Sequence, residues 1–320
     1  MGHLSRCLTL AGAFAEAGIS SRFLINAPSS LLARVAGAGH QVTPSAVPVG
    51  IKDDPASWNA EDCSLLILDS KALTPSFVET CRAFAPVLCF DDEAPRDFPC
   101  DVLINNHPWA RADDYGQQSG RKLLLGSAFN TVHPDFFVSR EQLHGLLITL
   151  GGEDPHNHTG WLIEQLAGNI GELSTEIVVG PAHPAPEMVQ LACKRWLPHA
   201  EVHIGPSSLV PFAWRSHIAI SAAGTTCYEL AAAGVAMAVL AVEDHQERLA
   251  ASMVAGGAAL SFGSHGTLDA GRVRNVFADL VQPAISAELA AAGRRMFPAP
   301  GITAIVDELK PLIQTTGRCA

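Results

Sequence analysis

Short apolar runs that alternate with helix-length amphipathic stretches constrain this chain more than any other feature of it. Parallel strands cannot be joined by tight hairpins and need a crossover, usually a helix, so this alternation is the mark of a parallel α/β sheet. The runs predict strands at Phe23–Asn26, Leu65–Asp69, Val87–Phe90, Val102–Asn105, Leu146–Leu150, Glu176–Val179, Ile218–Ser221, Ala238–Val242 and Ala259–Phe262. Between them the pattern predicts helices at His3–Ala17, Leu31–Gly39, Pro75–Phe84, Thr159–Leu166, Met188–Arg195, Thr226–Ala233, Gln246–Ala255, Ala270–Leu280, Ala284–Arg295 and Thr303–Ile313.

A length of 320 residues suits two such domains of roughly 150 each. The alternation breaks between Arg111 and Leu143, and Leu146–Leu150 then runs into Gly151-Gly152 as a strand entering a glycine turn. The boundary is set near Glu141, giving an N-terminal Rossmann-like domain over 1–140 and a C-terminal one over 141–320. The extension after Leu260 is expected to complete the second domain; nothing in the sequence decides whether its last helix crosses to the first. A doubly wound domain opens on a strand, a glycine turn and a helix. Here Gly2-His3-Leu4-Ser5-Arg6 opens directly on a helix, so the first strand is expected to be missing.

The net charge of −11 argues against a nucleic-acid partner, which would call for a basic surface. It leaves anionic ligands open, because helix N-termini and backbone N–H groups hold phosphate without Lys or Arg. The eight cysteines contain no CxxC pair and read as small buried hydrophobes in a reducing compartment. No signal peptide or bilayer-length apolar run is visible, so the expectation is a cytoplasmic protein without stable membrane association.

Three segments carry nucleotide-site chemistry at strand ends. Ile218–Ser221 runs into Ala222-Ala223-Gly224 and Thr225-Thr226, where small residues let N–H groups approach a diphosphate at a helix start. Glu229, one turn in, is placed to accept ribose hydroxyls; as a plain capped helix the same residues would need no ligand, and pattern alone does not separate the two. Gly151-Gly152-Glu153-Asp154 is a second glycine turn, and Val178-Val179-Gly180-Pro181 a third strand end, suited to a base pocket. Open α/β sheets bind ligands along that edge.

His3 in the first turn of a helix can serve as a general base while its imidazole is neutral. Taken alone it would be an idle terminal histidine. Asp91-Asp92-Glu93 ends a strand and could hold sugar hydroxyls, and Asp244-His245-Gln246 opens a helix after Ala238–Val242. His156-Asn157-His158 lacks neighbouring cysteine or carboxylate ligands at zinc spacing and reads as surface loop, so no metal site is expected. No Ser-His-Asp or Walker pattern is present, and no GxGxxG follows a strand, which argues against a nicotinamide dehydrogenase.

As a set, these segments resemble the UDP-sugar hydrolases of the pseudaminic acid pathway, relatives of the MurG-like glycosyltransferases. The segments are Gly2–Arg6, Phe90–Glu93, Cys100–Asn105, Tyr115, Leu150–Asp154, Ile220–Thr226 with Glu229, and Asp244–Gln246. The resemblance implies a GT-B architecture of two Rossmann-like domains facing a central cleft. It implies inverting hydrolysis of a UDP-activated diacetamido-trideoxy sugar to UDP and free sugar, in nonulosonic acid synthesis for surface glycans or flagellin glycosylation. His3 would activate water. Gly2, Arg6, Asp91, Asp92 and Asn105 would lie on the sugar side. Gly151, Gly152, Asp154, Val179, Ala223, Gly224, Thr225, Thr226, Glu229, His245 and Gln246 would lie on the UDP side. No cofactor is implied, and the partner is the UDP-sugar, bound by a monomer. This chain departs from the family in having Ser70-Lys71 after its strand in place of a His-Tyr pair, and His245-Gln246 in place of Asn-Gln. A glycosyltransferase using the same donor, and a nucleotide-sugar-binding protein without activity, are the rival readings.

Overall fold

The computed structural model describes residues 2–45, 55–92, 96–116, 120–138 and 145–315. Glu93 and the boundary residue Glu141 lie outside them. The chain forms two compact units, one of residues 1–131 with 300–320 and one of residues 132–299.

The first unit runs α1 (Gly2–Glu16), β1 (Arg22–Ile25), α2 (Ser29–Gly37), β2 (Gln41–Pro44), β3 (Leu66–Leu68), α3 (Pro75–Arg82), β4 (Val87–Phe90), β5 (Val102–Asn105) and β6 (Lys122–Leu125). All pairing is parallel. The strands make two sheets, ordered β1-β2 and β3-β4-β5-β6. In the common doubly wound order the first strand occupies the centre of the sheet. Among the described residues β1 and β3 belong to separate sheets, and α1 precedes both.

The four-stranded sheet is covered on both faces, which is why its strands read as unbroken apolar runs. Strand β4 shows the alternation. Val87 and Cys89 join Phe77, Val78, Phe98 and Leu103 on one side. Leu88 and Phe90 join Leu10 and Phe14 of α1 on the other. That second face is completed by a helix from the far end of the sequence, α11 (Gly301–Thr315), through Ile302, Ile305, Val306, Leu309 and Ile313. Burial of each such side chain contributes about 1.5–3 kcal/mol. The last helix therefore belongs to the first unit, whereas the sequence division keeps 141–320 together; no local pattern in 301–315 says which sheet it covers.

The second unit contains β7 (Gly145–Thr149), α4 (His158–Ile170), β8 (Ser174–Val179), α5 (Pro186–Trp196), β9 (Glu201–Ile204), α6 (Val210–Arg215), β10 (Ile218–Ala222), α7 (Thr226–Ala233), β11 (Ala236–Ala241), α8 (Glu247–Ala255), β12 (Ala259–Ser264), α9 (Ala270–Leu280) and α10 (Pro283–Met296). Its single parallel sheet has the order β12-β11-β10-β7-β8-β9. The order reverses between β7 and β10, which are adjacent although five elements separate them in sequence. Ligands of open α/β sheets bind outside the carboxyl ends of strands at such a switch point. No described helix is long and apolar enough to cross a membrane.

The elements missed by sequence reading are β2, β6, β9 and α6. Strand β2 (Gln-Val-Thr-Pro) and strand β9 (Glu-Val-His-Ile) end their sheets and are largely open to solvent, so no apolar run marks them. Strand β6 opens on exposed Lys122. Helix α6 is short and has proline in its first turn.

The seating of α11 yields a paired test by urea denaturation. A Cβ at Gly301 would collide with backbone atoms of Ala128 and Asn130, so Gly301→Ala is expected to cost about 1–3 kcal/mol. Gly12, in the middle of α1, has open space around the same position. Gly12→Ala is expected to stabilise by about 0.5–1 kcal/mol through helix propensity.

Candidate functional site

In the first unit, α1 brings His3, Arg6 and Cys7 onto one helix face, because residues three and four apart are neighbours. Leu10 and Phe14 anchor that helix against the sheet. Its first turn thereby meets two acidic residues that follow strands: Asp69 after β3 and Asp92 just beyond β4.

Arg6 ties these parts together. Its Nε and Nη2 donate to Asp69 at 2.7 and 2.5 Å. Its Nη1 and Nη2 donate to Asp92 at 2.6 and 2.8 Å. The guanidinium lies 4.4 Å from the Phe90 ring centre and is 7% exposed, so both pairings are shielded from water. Burial alone would lower the Arg6 pKa, but the hydrogen bonds and charges of Asp69 and Asp92 outweigh it and raise it. Burial likewise pushes both carboxyls up, and the Arg6 hydrogen bonds and charge override it, holding Asp69 and Asp92 below the usual carboxylate range.

His3 completes the group. Its Nδ1 lies 2.5 Å from Asp69 Oδ1. An ionised carboxylate can only accept, so Nδ1 is the nitrogen that donates to Asp69, with Arg6 Nη2 standing 3.1 Å from the same atom. The His3 side chain is 38% exposed. Cys7 Sγ donates to the same carboxylate at 3.4 Å, and burial, then the Asp69 charge, pushes that thiol up and away from nucleophilic character. His107 stands 3.8 Å from Asp92 and stacks on Trp109 at 4.3 Å between ring centres. The chemistry available here is proton abstraction by an imidazole whose tautomer is fixed by a buried aspartate.

Two other residues expected on the sugar side are structural supports. Asp91 is fully buried and accepts from Arg96 Nε at 3.0 Å and from Tyr115 Oη at 2.9 Å. Asn105, 1% exposed, donates to Tyr115 Oη at 2.8 Å and accepts from His107 N–H. Their polar atoms hold the Asp92 and His107 loops in place. Gly2 is the first residue of α1. Of the departures at 70–71, Ser70 Oγ accepts from Ala72 N–H and the Lys71 carbonyl accepts from Arg96.

Sequence reading missed Asp69, although it ended a strand there. The available signal was position: Asp69 and Asp92 both follow parallel strands at the edge where such sheets bind ligands.

In the second unit, β7 leads into Gly151, held at φ 86°, and Gly152. A Cβ at Gly180 would collide with the Gly151 and Gly152 carbonyls, and Ala182 N–H donates to Gly152 O at 3.0 Å. These two loops are locked together by backbone contact. Asp154 is buried; its carboxylate accepts from His158 N–H and Thr159 N–H, both at 2.8 Å, and from Thr159 Oγ1 at 2.7 Å, capping α4. Val179 is 2% exposed and packs in the core. At the start of α7, Ala223 N–H donates to Leu240 O and Gly224 N–H to Ala222 O, so both of these donors are engaged within the sheet and turn, and Thr225 and Thr226 follow at the helix start. Glu229 is half-buried in the first turn of α7. His245 is exposed beside Glu243, and Gln246 Oε1 accepts from Val242 N–H at 3.0 Å, closing the end of β11.

No family model matches the sequence, and no curated protein matches it. Solved structures do. MurG of Acinetobacter baumannii is 16% identical with a TM-score of 0.68, the match covering 97% of this chain and 96% of that one. A spinosyn rhamnosyltransferase, SpnG, solved with thymidine diphosphate, is 16% identical with a TM-score of 0.65 and 96% coverage of each chain. A putative UDP-N-acetylglucosamine 2-epimerase from Listeria monocytogenes is 13% identical at 0.65, covering 98% of this chain and 95% of that one. At such identities the likeness speaks to fold, and the fold is the two-unit α/β architecture of the GT-B glycosyltransferases.

Two outcomes follow from the Arg6 network. Arg6→Met leaves the buried Asp69 carboxylate and the half-buried Asp92 carboxylate without their partner and is expected to cost about 3–5 kcal/mol in urea denaturation. Because both carboxyl pKa values are depressed in the folded state, their stabilisation is complete above the unfolded value near 3.9 and is lost as pH falls below it. Stability measured from about pH 5 down to about pH 2 should therefore fall less steeply in Asp92→Asn than in the parent.

Proposed function

We propose that this chain is an enzyme that hydrolyses a UDP-activated sugar, releasing UDP and free sugar by attack of water at the anomeric carbon. The observation that carries the reading is the His3–Asp69 pair, fixed by Arg6, at the accessible start of α1. In the proposed reaction His3 Nε2 takes a proton from water as the water oxygen bonds to C1. The bond from C1 to the diphosphate oxygen breaks, and its electron pair leaves on UDP. Asp69 is the positioning residue: it fixes the tautomer and stabilises the imidazolium as it forms. Arg6 and Asp92 hold Asp69, and Asp92 with His107 offers polar groups for sugar hydroxyls.

The nucleotide is assigned to the second unit. Thr225 and Thr226 at the start of α7 would face the diphosphate, with Gly151–Gly152 nearby in sequence to the same strand edge and Glu229 toward the ribose. What supports this is the fold likeness: the similar structures include one solved with thymidine diphosphate and one named for a UDP-sugar substrate. The resemblance of the Gly2–Arg6 segment to pseudaminic acid pathway hydrolases favours a diacetamido-trideoxy sugar, transformed with inversion. A glycosyltransferase is the second reading, favoured by the glycosyltransferases among the similar structures.

The test is UDP release from a panel of UDP-sugars in water without an acceptor. Hydrolysis requires release that falls roughly 10²–10⁴-fold in His3→Ala. Asp69→Asn should lower kcat by a similar factor with little change in KM, since it alters the base and not the ground-state contacts. Release that appears only when an acceptor sugar or lipid is added would establish the transferase. Binding of UDP without release under either condition would sink both readings.

A further inference from the structure

Helix α5 stands at the β9 end of the second unit. It packs on α4 and runs beside β9, the last strand of the sheet, and only Val189 and Cys193 among its 11 residues are buried. At about 100° per residue those two mark the core-facing side, and Leu191 falls directly opposite them. Leu191 is 60% exposed, and Met188, one turn before it, is 49% exposed. Around that outward line lie Glu187, Lys194 and Arg195, all exposed.

Single exposed apolar residues are ordinary on any protein surface. This stripe is distinguished by its order along the helix: an acid, Met188, Leu191, then two bases, with Leu191 midway between Glu187 and Arg195. We propose that the outward face of α5 docks a second copy of this chain, the two α5 helices pairing antiparallel about a two-fold axis at Leu191. Leu191 then packs on the partner's Leu191. Glu187 and Lys194 share one flank of the stripe, so each Glu187 stands beside the partner's Lys194, and the symmetry makes that pair twice. Met188 and Arg195 share the other flank, so Met188 lies along the aliphatic stem of the partner's Arg195. The Arg195 guanidinium sits 4.8 Å from the centre of its own Trp196 ring, a cation–π seat that keeps the charge clear of Met188.

The same charges suit the dipole of α5, acid first and bases last. The dipole gives no reason for two large apolar side chains to stand between them in water. A bilayer surface would take the apolar residues and the bases, but Glu187 would then face anionic headgroups, on a chain whose net charge is −11. Charge complementarity therefore selects a second copy. Two helices of about 16 Å cover less than the about 1,200 Å² of a standard interface, so the dimer is of the weak, concentration-dependent class. The pairing needs neither UDP nor a sugar, and it replaces the monomer that the family resemblance implies.

The experiment is sedimentation velocity of the full chain over about 1–1,000 µM. The parent should pass from monomer to dimer, and Leu191→Glu should weaken the dimer about tenfold or more. Glu187→Lys and Lys194→Glu should each weaken it roughly 3–10-fold, because both symmetry-related pairs turn repulsive. An equimolar mixture of these two variants should dimerise as the parent does, since each charge then meets its opposite. All three residues are exposed, so the variants should melt close to the parent. A parent that stays monomeric across the range overturns the proposal, as does a dimer indifferent to Leu191→Glu. A mixture that dimerises no better than its components overturns the antiparallel pairing. Pelleting of a monomeric parent with phosphatidylglycerol–phosphatidylcholine vesicles, abolished by Leu191→Glu, would assign the stripe to a membrane instead.

Discussion

Arg6 between Asp69 and Asp92 is the interaction on which the arrangement of the first unit's helix start and strand ends depends. One buried cation faces two carboxylates, Asp69 buried and Asp92 half-buried, so the three groups together carry one negative charge more than positive. His3 joins the group through its hydrogen bond to Asp69. The network staples α1 to the ends of two strands, so the placement of that helix rests on one side chain.

The strands of the sheet interiors were legible because they are buried on both faces. Val87–Phe90 and Val102–Asn105 are continuous apolar runs, and such runs resist any other reading. Edge strands with one solvated face, such as Glu201–Ile204, carry no such mark. The return of α11 was illegible for a different reason. Its apolar face, Ile302 through Ile313, would suit any open sheet face, and only the folded first unit shows where the gap is.

The candidate site divides along the same line. His3 was legible as a histidine in a helix's first turn, and Arg6 only through the resemblance of the Gly2–Arg6 segment to a known family. Asp69 was not, because its relation to His3 spans 66 residues and exists only once α1 lies across the strand ends. Acidic and amide residues beside glycine turns invite a ligand reading that geometry often denies them. Asp154 spends its carboxylate on the α4 cap, and Asp91 and Asn105 on Tyr115 and Arg96. A backbone N–H in a small-residue turn is no different: those of Ala223 and Gly224 are already bonded within the sheet and turn.

The central claim is that water, deprotonated by His3, attacks the sugar carbon and not phosphorus. The direct measurement is a single turnover of a UDP-sugar in ¹⁸O-labelled water, with both products analysed by mass spectrometry. The account requires the label in the anomeric hydroxyl of the free sugar and none in UDP. Label in the β-phosphate of UDP would contradict it, because the bond broken would then be phosphorus–oxygen and His3 would be serving a different reaction.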